Sequence, residues 1–118
     1  MIDLGKLKRI IGIEYSDIVE GSEIYHAKLR VFLIDNSILD TWFSSVIPGR
    51  FSYHWERRHI DGTLYRHDNF PDPQWKGIST FPKHFHNGSQ NQVQESKISD
   101  DPFHAIHEFM AFIKGILH

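Results

Sequence analysis

The sequence has no cysteine among its 118 residues, and it has no long apolar run. Without thiols, neither a disulfide framework nor a thiolate zinc site can form, so any metal would need histidine, aspartate or glutamate ligands. No apolar run approaches the length of a membrane-spanning helix. The first twelve residues mix charged with apolar positions and lack the apolar block of a signal peptide. We therefore expect a cytoplasmic protein with no membrane association.

A large excess of one charge is missing as well. The 13 basic and 15 acidic residues give a formal net charge of −2, so the protein as a whole is not a polycation that coats nucleic acid. Any polyanion site must therefore be local. Residues 50–86 are the candidate segment, because they hold six Lys and Arg residues against four acids and contain five of the nine histidines.

Size and composition favour one folded unit. A chain of 118 residues has room for one hydrophobic core. The hydrophobic fraction of 40% and the charged fraction of 24% are those of a globular protein, which argues against disorder. We expect residues 1–118 to form a single domain.

Helices are predicted at both ends of the chain. In residues 2–11, apolar side chains recur at the three- and four-residue spacing of a helix face, and Gly12 is expected to end this helix. A second helix is expected to begin where Asp101 can cap it and Pro102 suits its first turn.

Between the helices, alternating apolar and polar residues predict four consecutive antiparallel strands that form a meander. Together with the helices they predict an α+β fold, a two-layer sandwich of an antiparallel sheet packed against the N-terminal and C-terminal helices. The predicted strands cover residues 22–34, 38–47, 50–59 and 63–67, with a short further strand near Val93.

The last two predicted strands of the meander are joined at Asp61-Gly62, a dipeptide typical of hairpins. The register expected from this turn places four polar residues on one face and two arginines side by side on the other, where an anion such as phosphate would have to separate them. The expected pairs are Glu56 with His67, His54 with Asn69, Trp55 with Asp68, and Arg57 with Arg66.

The segment from Ser79 to His86 is expected to be extended, because Pro82 biases Phe81 away from helical conformations. On an extended segment, His84 and His86 point to the same side.

Three blocks of this region are similar in order and spacing to the TumE family. The family pattern is a Tyr-x-His strand, an Arg-x-Asp-Asn-x-Pro turn and a Thr-Phe-Pro-x-His-x-His stretch. The corresponding blocks here are Arg50-Phe51-Ser52-Tyr53-His54-Trp55, Leu64-Tyr65-Arg66-His67-Asp68-Asn69-Phe70-Pro71 and Ser79-Thr80-Phe81-Pro82-Lys83-His84-Phe85-His86.

The resemblance implies the toxin of a prokaryotic two-gene module, neutralised by a small helix-turn-helix antitoxin encoded beside it. One position pair departs from the family, which often has two histidines where this chain has Asp72 and Pro73. The residues that match the marked positions of the family are His54, Arg66, Asp68, Asn69, Pro71, Phe81, Pro82, His84 and His86.

The leading hypothesis is a toxin that acts on RNA by metal-independent acid–base chemistry, with no cofactor. Such a ribonuclease needs a proton acceptor for the 2′-hydroxyl, a proton donor for the leaving oxygen and a cation at the phosphate. The catalytic candidates are His54, Arg66, His67, His84 and His86. The substrate-binding candidates are Lys83, Tyr53, Asp68 and Asn69, and the rings of Tyr53, Trp55, Phe81 and Phe85 are candidates for base stacking.

Three alternatives remain open. The same histidines are also compatible with a buried polar network that only braces the sheet. A metal-dependent hydrolase would use His84 and His86 with Asp68 or His67 as a third ligand. A non-catalytic toxin would act by binding its target.

The last helix has more apolar residues than are needed for the single stripe that would face the sheet. Phe109, Phe112 and Ile116 widen it beyond the face that would contact the sheet. This predicts a contact surface for a partner subunit, and a homodimer through the C-terminal helix is the simplest form of it.

Overall fold

The structure is a computed structural model that describes residues 2–117. Seven antiparallel strands form one sheet in the sequential order β1 to β7, and the helices α1 and α3 pack on one of its faces. The predicted α+β architecture and meander are confirmed, with seven strands instead of the four or five expected. The elements are α1 (Leu4–Glu14), β1 (Val19–Tyr25), β2 (Lys28–Leu33), β3 (Ile38–Phe43), β4 (Phe51–Arg57), α2 (Arg58–Asp61), β5 (Thr63–Asp68), β6 (His84–Gly88), β7 (Val93–Glu95) and α3 (Pro102–Leu117).

The first helix is longer than predicted and runs through Gly12. Asp3 caps its start, with its carboxylate accepting a hydrogen bond from the Lys6 amide at 3.0 Å. Leu7 and Ile11 are fully buried against the sheet. Their packing offsets the cost of about 1 kcal/mol that a glycine imposes inside a helix, so the helix continues to Glu14, with Tyr15 as its C-cap.

The predicted strand 22–34 is in fact a hairpin of two strands. Tyr25 pairs with Lys28, and the two residues between them form a tight turn. His26 adopts a positive φ of 57° in this turn, a conformation that histidine adopts more readily than most non-glycine residues. Neither turn residue is Gly, Asn or Pro, so no turn was predicted there.

The register predicted between β4 and β5 is wrong. The connection is the one-turn helix α2 followed by Gly62, which has a left-handed φ of 79°. This five-residue connection shifts the pairing by three positions, so Tyr53 pairs with His67 and His54 with Arg66. An odd shift exchanges the faces of a strand, and His67 therefore lies on the face opposite to His54.

The two arginines predicted to lie side by side are separated. Arg57 forms ion pairs with Asp35 and Asp61 on the helix side of the sheet. Arg66 lies on the other face, where it pairs with Asp68.

The predicted extended segment 79–86 is extended only from His84 onward. Turns occupy residues 79–82, and the Phe81–Pro82 peptide bond is cis. The short strand expected near Val93 is present as β7, and α3 begins at Pro102, as predicted, with the Asp101 carbonyl accepting a hydrogen bond from the Ala105 amide at 2.9 Å.

The hydrophobic core lies between the sheet and the two long helices. Trp55, the largest fully buried side chain in residues 2–117, donates a hydrogen bond from Nε1 to Ser37 Oγ at 2.8 Å. Phe109 of α3 is only 1% exposed and belongs to this core. We call the face of the sheet opposite to α1 and α3 the outer face.

Candidate functional site: a polar pocket on the outer face

Polar residues of the outer face form two neighbouring rows that cross β4, β5 and β6. The register of the three strands places directly paired residues side by side. Each of the three family-like blocks therefore contributes residues to the same small area. The first row consists of Ser52, Asp68 and His84, and the second consists of His54, Arg66 and His86.

Asp68 lies at the centre of this arrangement. Its Oδ1 is 3.3 Å from His84 Nε2, and its Oδ2 is 3.9 Å from His86 Nε2. All three side chains are buried. The predicted common orientation of His84 and His86 is confirmed, since their ring centroids are 5.0 Å apart and both approach the same carboxylate.

Backbone carbonyls fix the orientation of both imidazole rings. His84 Nδ1 donates to the Pro82 carbonyl at 2.8 Å, and His86 Nδ1 donates to the Gln90 carbonyl at 3.0 Å. Because a carbonyl can only accept, the hydrogen of each neutral ring is on Nδ1 and its lone pair is on Nε2. Both lone pairs consequently face the region around Asp68.

Arg66 connects the two rows. Its Nε donates to Asp68 Oδ2 at 3.0 Å, while its Nη2 donates to His86 Nε2 at 3.2 Å and to Gln90 Oε1 at 3.1 Å. Burial is the largest influence on the pKa of His86 and lowers it below its usual value; the hydrogen bond to the Gln90 carbonyl opposes this, and the positive charge of Arg66 lowers the pKa further. The neutral form of His86 that accepts from Arg66 is thus favoured.

These residues line an open cavity of about 530 Å³. Its rim combines aromatic rings with cationic and acidic side chains, so it can contact both a flat ring and an anion. We call this cavity the outer pocket. Its lining includes Trp42, Arg50, Arg66, Asp68, Phe70, Asp72, Trp75, His84, His86 and Gln90.

His54 lies beside Arg66 in the second row but does not line the outer pocket. Its Nε2 is 3.1 Å from Glu56 Oε1, and burial lowers its pKa. Glu56 also binds Arg58, whose hydrogen bonds lower the pKa of Glu56 to about 2. The predicted sharing of one surface by His54, Arg66 and His84 is thus observed, although His54 is turned toward Glu56.

His67 and Tyr53 lie on the helix side of the sheet, and the structure does not bring them to the outer pocket. Tyr53 is 1% exposed, and burial raises its pKa. His67 stacks on Phe85 with ring centroids 4.1 Å apart, and its Nδ1 is 2.7 Å from Ser96 Oγ. Burial, with smaller contributions from neighbouring positive charges, lowers the pKa of His67 to about 3.

Of the rings considered for base stacking, Trp55 and Phe85 are buried in addition to Tyr53. They pack within the sheet and against Phe112 of α3, so they are unavailable to a base in this conformation.

Lys83 and Asn69 lie beside a separate, shallower cavity. The Lys83 ammonium donates to the Ile98 carbonyl and lies 3.1 Å from Asp100. The Asn69 side chain accepts from the Phe51 amide at 2.9 Å and donates to the Gly49 carbonyl at 2.8 Å. These contacts hold loops together, and the structure does not place either residue in the outer pocket.

Sequence reasoning missed the aromatic and amide residues of the outer pocket. Trp42 had a usable signal in the alternation of β3, because it shares a face with the charged Asp40 two residues earlier. Phe70, Trp75 and Gln90 come from irregular segments, where no periodicity indicates the direction of a side chain.

The fold and the outer pocket define a small α+β protein whose family-like blocks meet at one arginine- and histidine-lined site. The family model described as Toxin TumE matches residues 6–117, and this chain belongs to that family. It is accordingly the toxin of a toxin–antitoxin module and has an antitoxin as partner. Comparisons with curated proteins and with solved structures give no significant match. None of the helices in residues 2–117 has the length and apolar character needed to cross a membrane.

Proposed function

We propose that this toxin cleaves RNA in the cytoplasm and that the outer pocket is its active site. The observation that carries the proposal is the convergence of Arg66, Asp68, His84 and His86 from two adjacent strands beside an open cavity. A guanidinium, a carboxylate and two imidazoles are the groups that phosphodiester cleavage uses for phosphate binding and activation.

The rim of the outer pocket suits a single-stranded nucleic acid. Trp42, Phe70 and Trp75 supply ring surfaces, and stacking of a base on an aromatic ring contributes about 1–3 kcal/mol. Arg50 lies over the Phe70 ring at 5.4 Å and provides a second cation near Arg66 for the backbone. Arg50 and Arg66 thus offer two guanidinium groups to a phosphate, next to the acidic side chains of Asp68 and Asp72.

Two routes of activation are compatible with these residues. In the acid–base route predicted from the sequence, His54 and His84 exchange protons while Arg66 holds the phosphate. In the metal route, His84, His86 and Asp68 are metal ligands. Both routes hold the scissile phosphate at Arg66, so Arg66 tests the proposed function without depending on the route.

Arg66→Ala is expected to lower the rate of RNA cleavage by roughly 100- to 1000-fold, the typical effect of losing one preorganised donor to transition-state charge. Growth arrest on induction in a bacterium should be lost as well, whereas wild-type growth arrest should be relieved by the adjacent gene. The measurements are cleavage by the purified protein, growth, and melting temperature of the same variant.

Arg58→Ala is the matched control, because the Arg58 side chain is exposed on α2, where it forms an ion pair with Glu56. It should keep both activities. Cleavage by Arg66→Ala that falls only in proportion to its folded fraction would assign Arg66 to a structural network. Growth arrest by a wild-type protein that leaves RNA intact would favour the non-catalytic toxin.

For the partners, we propose a helix-turn-helix antitoxin, on the resemblance of the three sequence blocks.

The homodimer stays a prediction. The apolar surface of α3 that is free for a partner is smaller than expected. Phe109 is in the core, and Phe112 contacts Trp55 and Tyr65 of the same chain. Of the three residues predicted to widen the apolar surface, Ile116 is the exposed one, at 41%.

A further inference from the structure

We infer that Asp68, His84 and His86 bind one divalent transition-metal cation, of the Zn²⁺ or Mn²⁺ type, in the outer pocket. Within residues 2–117, these three side chains offer ligand atoms that all lie within 4.8 Å of one another. The role of the ion in RNA cleavage rests on the proposed function. The binding itself does not, and it can be tested separately.

The donor set selects the class of ion. Two imidazole nitrogens and one carboxylate suit zinc, manganese, iron or nickel, whereas Mg²⁺ and Ca²⁺ prefer oxygen ligands throughout. Three protein ligands with an open side are typical of catalytic zinc sites, in contrast to the closed four-ligand sites that serve structure. Here the open side is the cavity of the outer pocket.

The orientation of both histidines fits metal ligation. A metal-bound histidine almost always donates its second ring N–H to a carbonyl or a carboxylate, which fixes the tautomer and raises the basicity of the ligating nitrogen. The Pro82 carbonyl does this for His84, and the Gln90 carbonyl does it for His86. In the neutral tautomer with the hydrogen on Nδ1, each imidazole directs the lone pair of Nε2 at the same carboxylate.

Ligation requires a modest inward movement of the side chains, because a different oxygen of Asp68 faces each histidine and the three donor atoms lie within 4.8 Å of one another. In a tetrahedral site with ligand bonds of about 2.0–2.1 Å, neighbouring donor atoms are roughly 3.4 Å apart. His84 Nε2 and Asp68 Oδ1 are 3.3 Å apart, and His86 Nε2 and Asp68 Oδ2 are 3.9 Å apart. Because all three residues belong to two directly paired strands, the backbone already holds them near these positions.

Electrostatics favour a cation at the same point. A lone pair of His84 facing a buried carboxylate oxygen at 3.3 Å is repulsive unless a proton or a cation lies between them. Arg66 supplies positive charge from one side only, through Asp68 Oδ2 and His86 Nε2. An ion would take His86 Nε2 from Arg66, whose Nη2 would then be free to bind a phosphate oxygen.

In this arrangement the ion and Arg66 share the phosphate. The ion polarises a phosphoryl oxygen at its open position, and the guanidinium binds a second oxygen. His84 and His86 then act as ligands and do not exchange protons, which distinguishes this inference from the acid–base route.

The first test is calorimetric titration of the untagged, chelator-treated protein with Zn²⁺ and with Mn²⁺. We expect one ion per chain. His84→Ala and His86→Ala should each weaken binding by more than the roughly 10- to 100-fold that loss of an outer hydrogen-bond partner costs. His104→Ala is the matched control for non-specific binding by a chain with nine histidines, because the His104 side chain is 79% exposed on α3, and it should bind as the wild type does.

A second measurement needs no variant and so remains decisive if the alanine variants fail to fold. In the wild-type protein, nuclear magnetic resonance of the ring nitrogens should show zinc-induced shifts of Nε2 in His84 and His86, with Nδ1 remaining protonated. Binding that is absent, or that shifts other histidines in place of these two, would overturn the inference.

The two proposals fail in distinguishable ways. RNA cleavage that persists in excess chelator, together with no ion at the three residues, would reject the metal site and leave the proposed function in place. Stoichiometric binding at His84 and His86 by a protein that does not cleave RNA would reject the proposed function and leave the metal site.

Discussion

Among single residues, His67 differs most from its predicted role. The sequence placed it with His54 on a polar surface, but it lies under α3, stacked on Phe85 and in edge contact with Phe109. A single histidine in a predicted strand does not reveal whether it lies on the outer face or under α3, because the face depends on the register with the neighbouring strand. His84 and His86 were predicted to share a side correctly, since a two-residue spacing on one strand does not depend on the register.

The buried His67 predicts a pH dependence of stability. Its folded-state pKa of about 3 lies below the value of about 6.5 expected in the unfolded chain. As the pH falls from 6.5 toward 3, the unfolded chain therefore takes up the proton first, and the folded state loses about 1.4 kcal/mol per pH unit from this group. The contribution is fully present only above pH 6.5.

His67→Phe should flatten this profile, because phenylalanine keeps the ring contacts and does not titrate. The measurement is the free energy of unfolding by urea at pH 7, 6 and 5. His54 and His86 also have pKa values lowered by burial and add in the same direction, so the quantity to compare is the slope of the variant against that of the wild type. An unchanged slope in His67→Phe would contradict the burial of a neutral His67.

Among the elements, α2 has the largest influence on the outer pocket. This single turn and Gly62 set the pairing of β4 with β5, and the pairing places His54 next to Arg66. The alternation of β4 and β5 was readable from the sequence, and so were both terminal helices. The connection was not, because Asp-Gly is equally compatible with a two-residue hairpin turn and with the end of a helical turn.

Gly62 and Gly12 provide a pair of substitutions with opposite expected effects. Gly62 has a φ of 79°, and a side chain in that left-handed conformation costs roughly 1–2 kcal/mol. Gly12 is helical, and a Cβ added there meets nothing within 4 Å, so alanine should stabilise by about 0.5–1 kcal/mol.

The free energies of unfolding of Gly62→Ala and Gly12→Ala should accordingly differ in sign relative to the wild type. If the β4–β5 connection were the two-residue turn suggested by the sequence, residue 62 would still favour glycine, but α2 would be absent. Hydrogen exchange of the Gly62 amide, which donates to the Arg58 carbonyl at 3.2 Å, distinguishes the two. Unprotected exchange there would contradict α2.

At the scale of the whole molecule, the two faces of the sheet have separate tasks. One face packs against α1 and α3 and forms the core, and the outer face presents the polar rows and the outer pocket. The two long helices contact different parts of the sheet. α1 packs beside β1 and β2, whereas Phe109 and Phe112 of α3 contact residues of β4, β5 and β6.

The single domain predicted for this chain requires both helices to stabilise one cooperative unit. Ile11 of α1 is fully buried in the same cluster as the core residues of α3. Ile11→Ala should therefore destabilise the whole chain by about 2–5 kcal/mol, the usual cost of truncating a large aliphatic side chain in a core. Thermal unfolding should remain one transition at a lower temperature, with the same midpoint by tryptophan fluorescence and by far-ultraviolet circular dichroism.

Ile13→Ala is the control on the same helix, because Ile13 is 76% exposed and its truncation should leave the midpoint nearly unchanged. The three tryptophans, Trp42, Trp55 and Trp75, all lie outside α1, β1 and β2. If α1 and its strands unfolded independently, Ile11→Ala would therefore shift the dichroism and leave the fluorescence transition in place, and the chain would consist of two units.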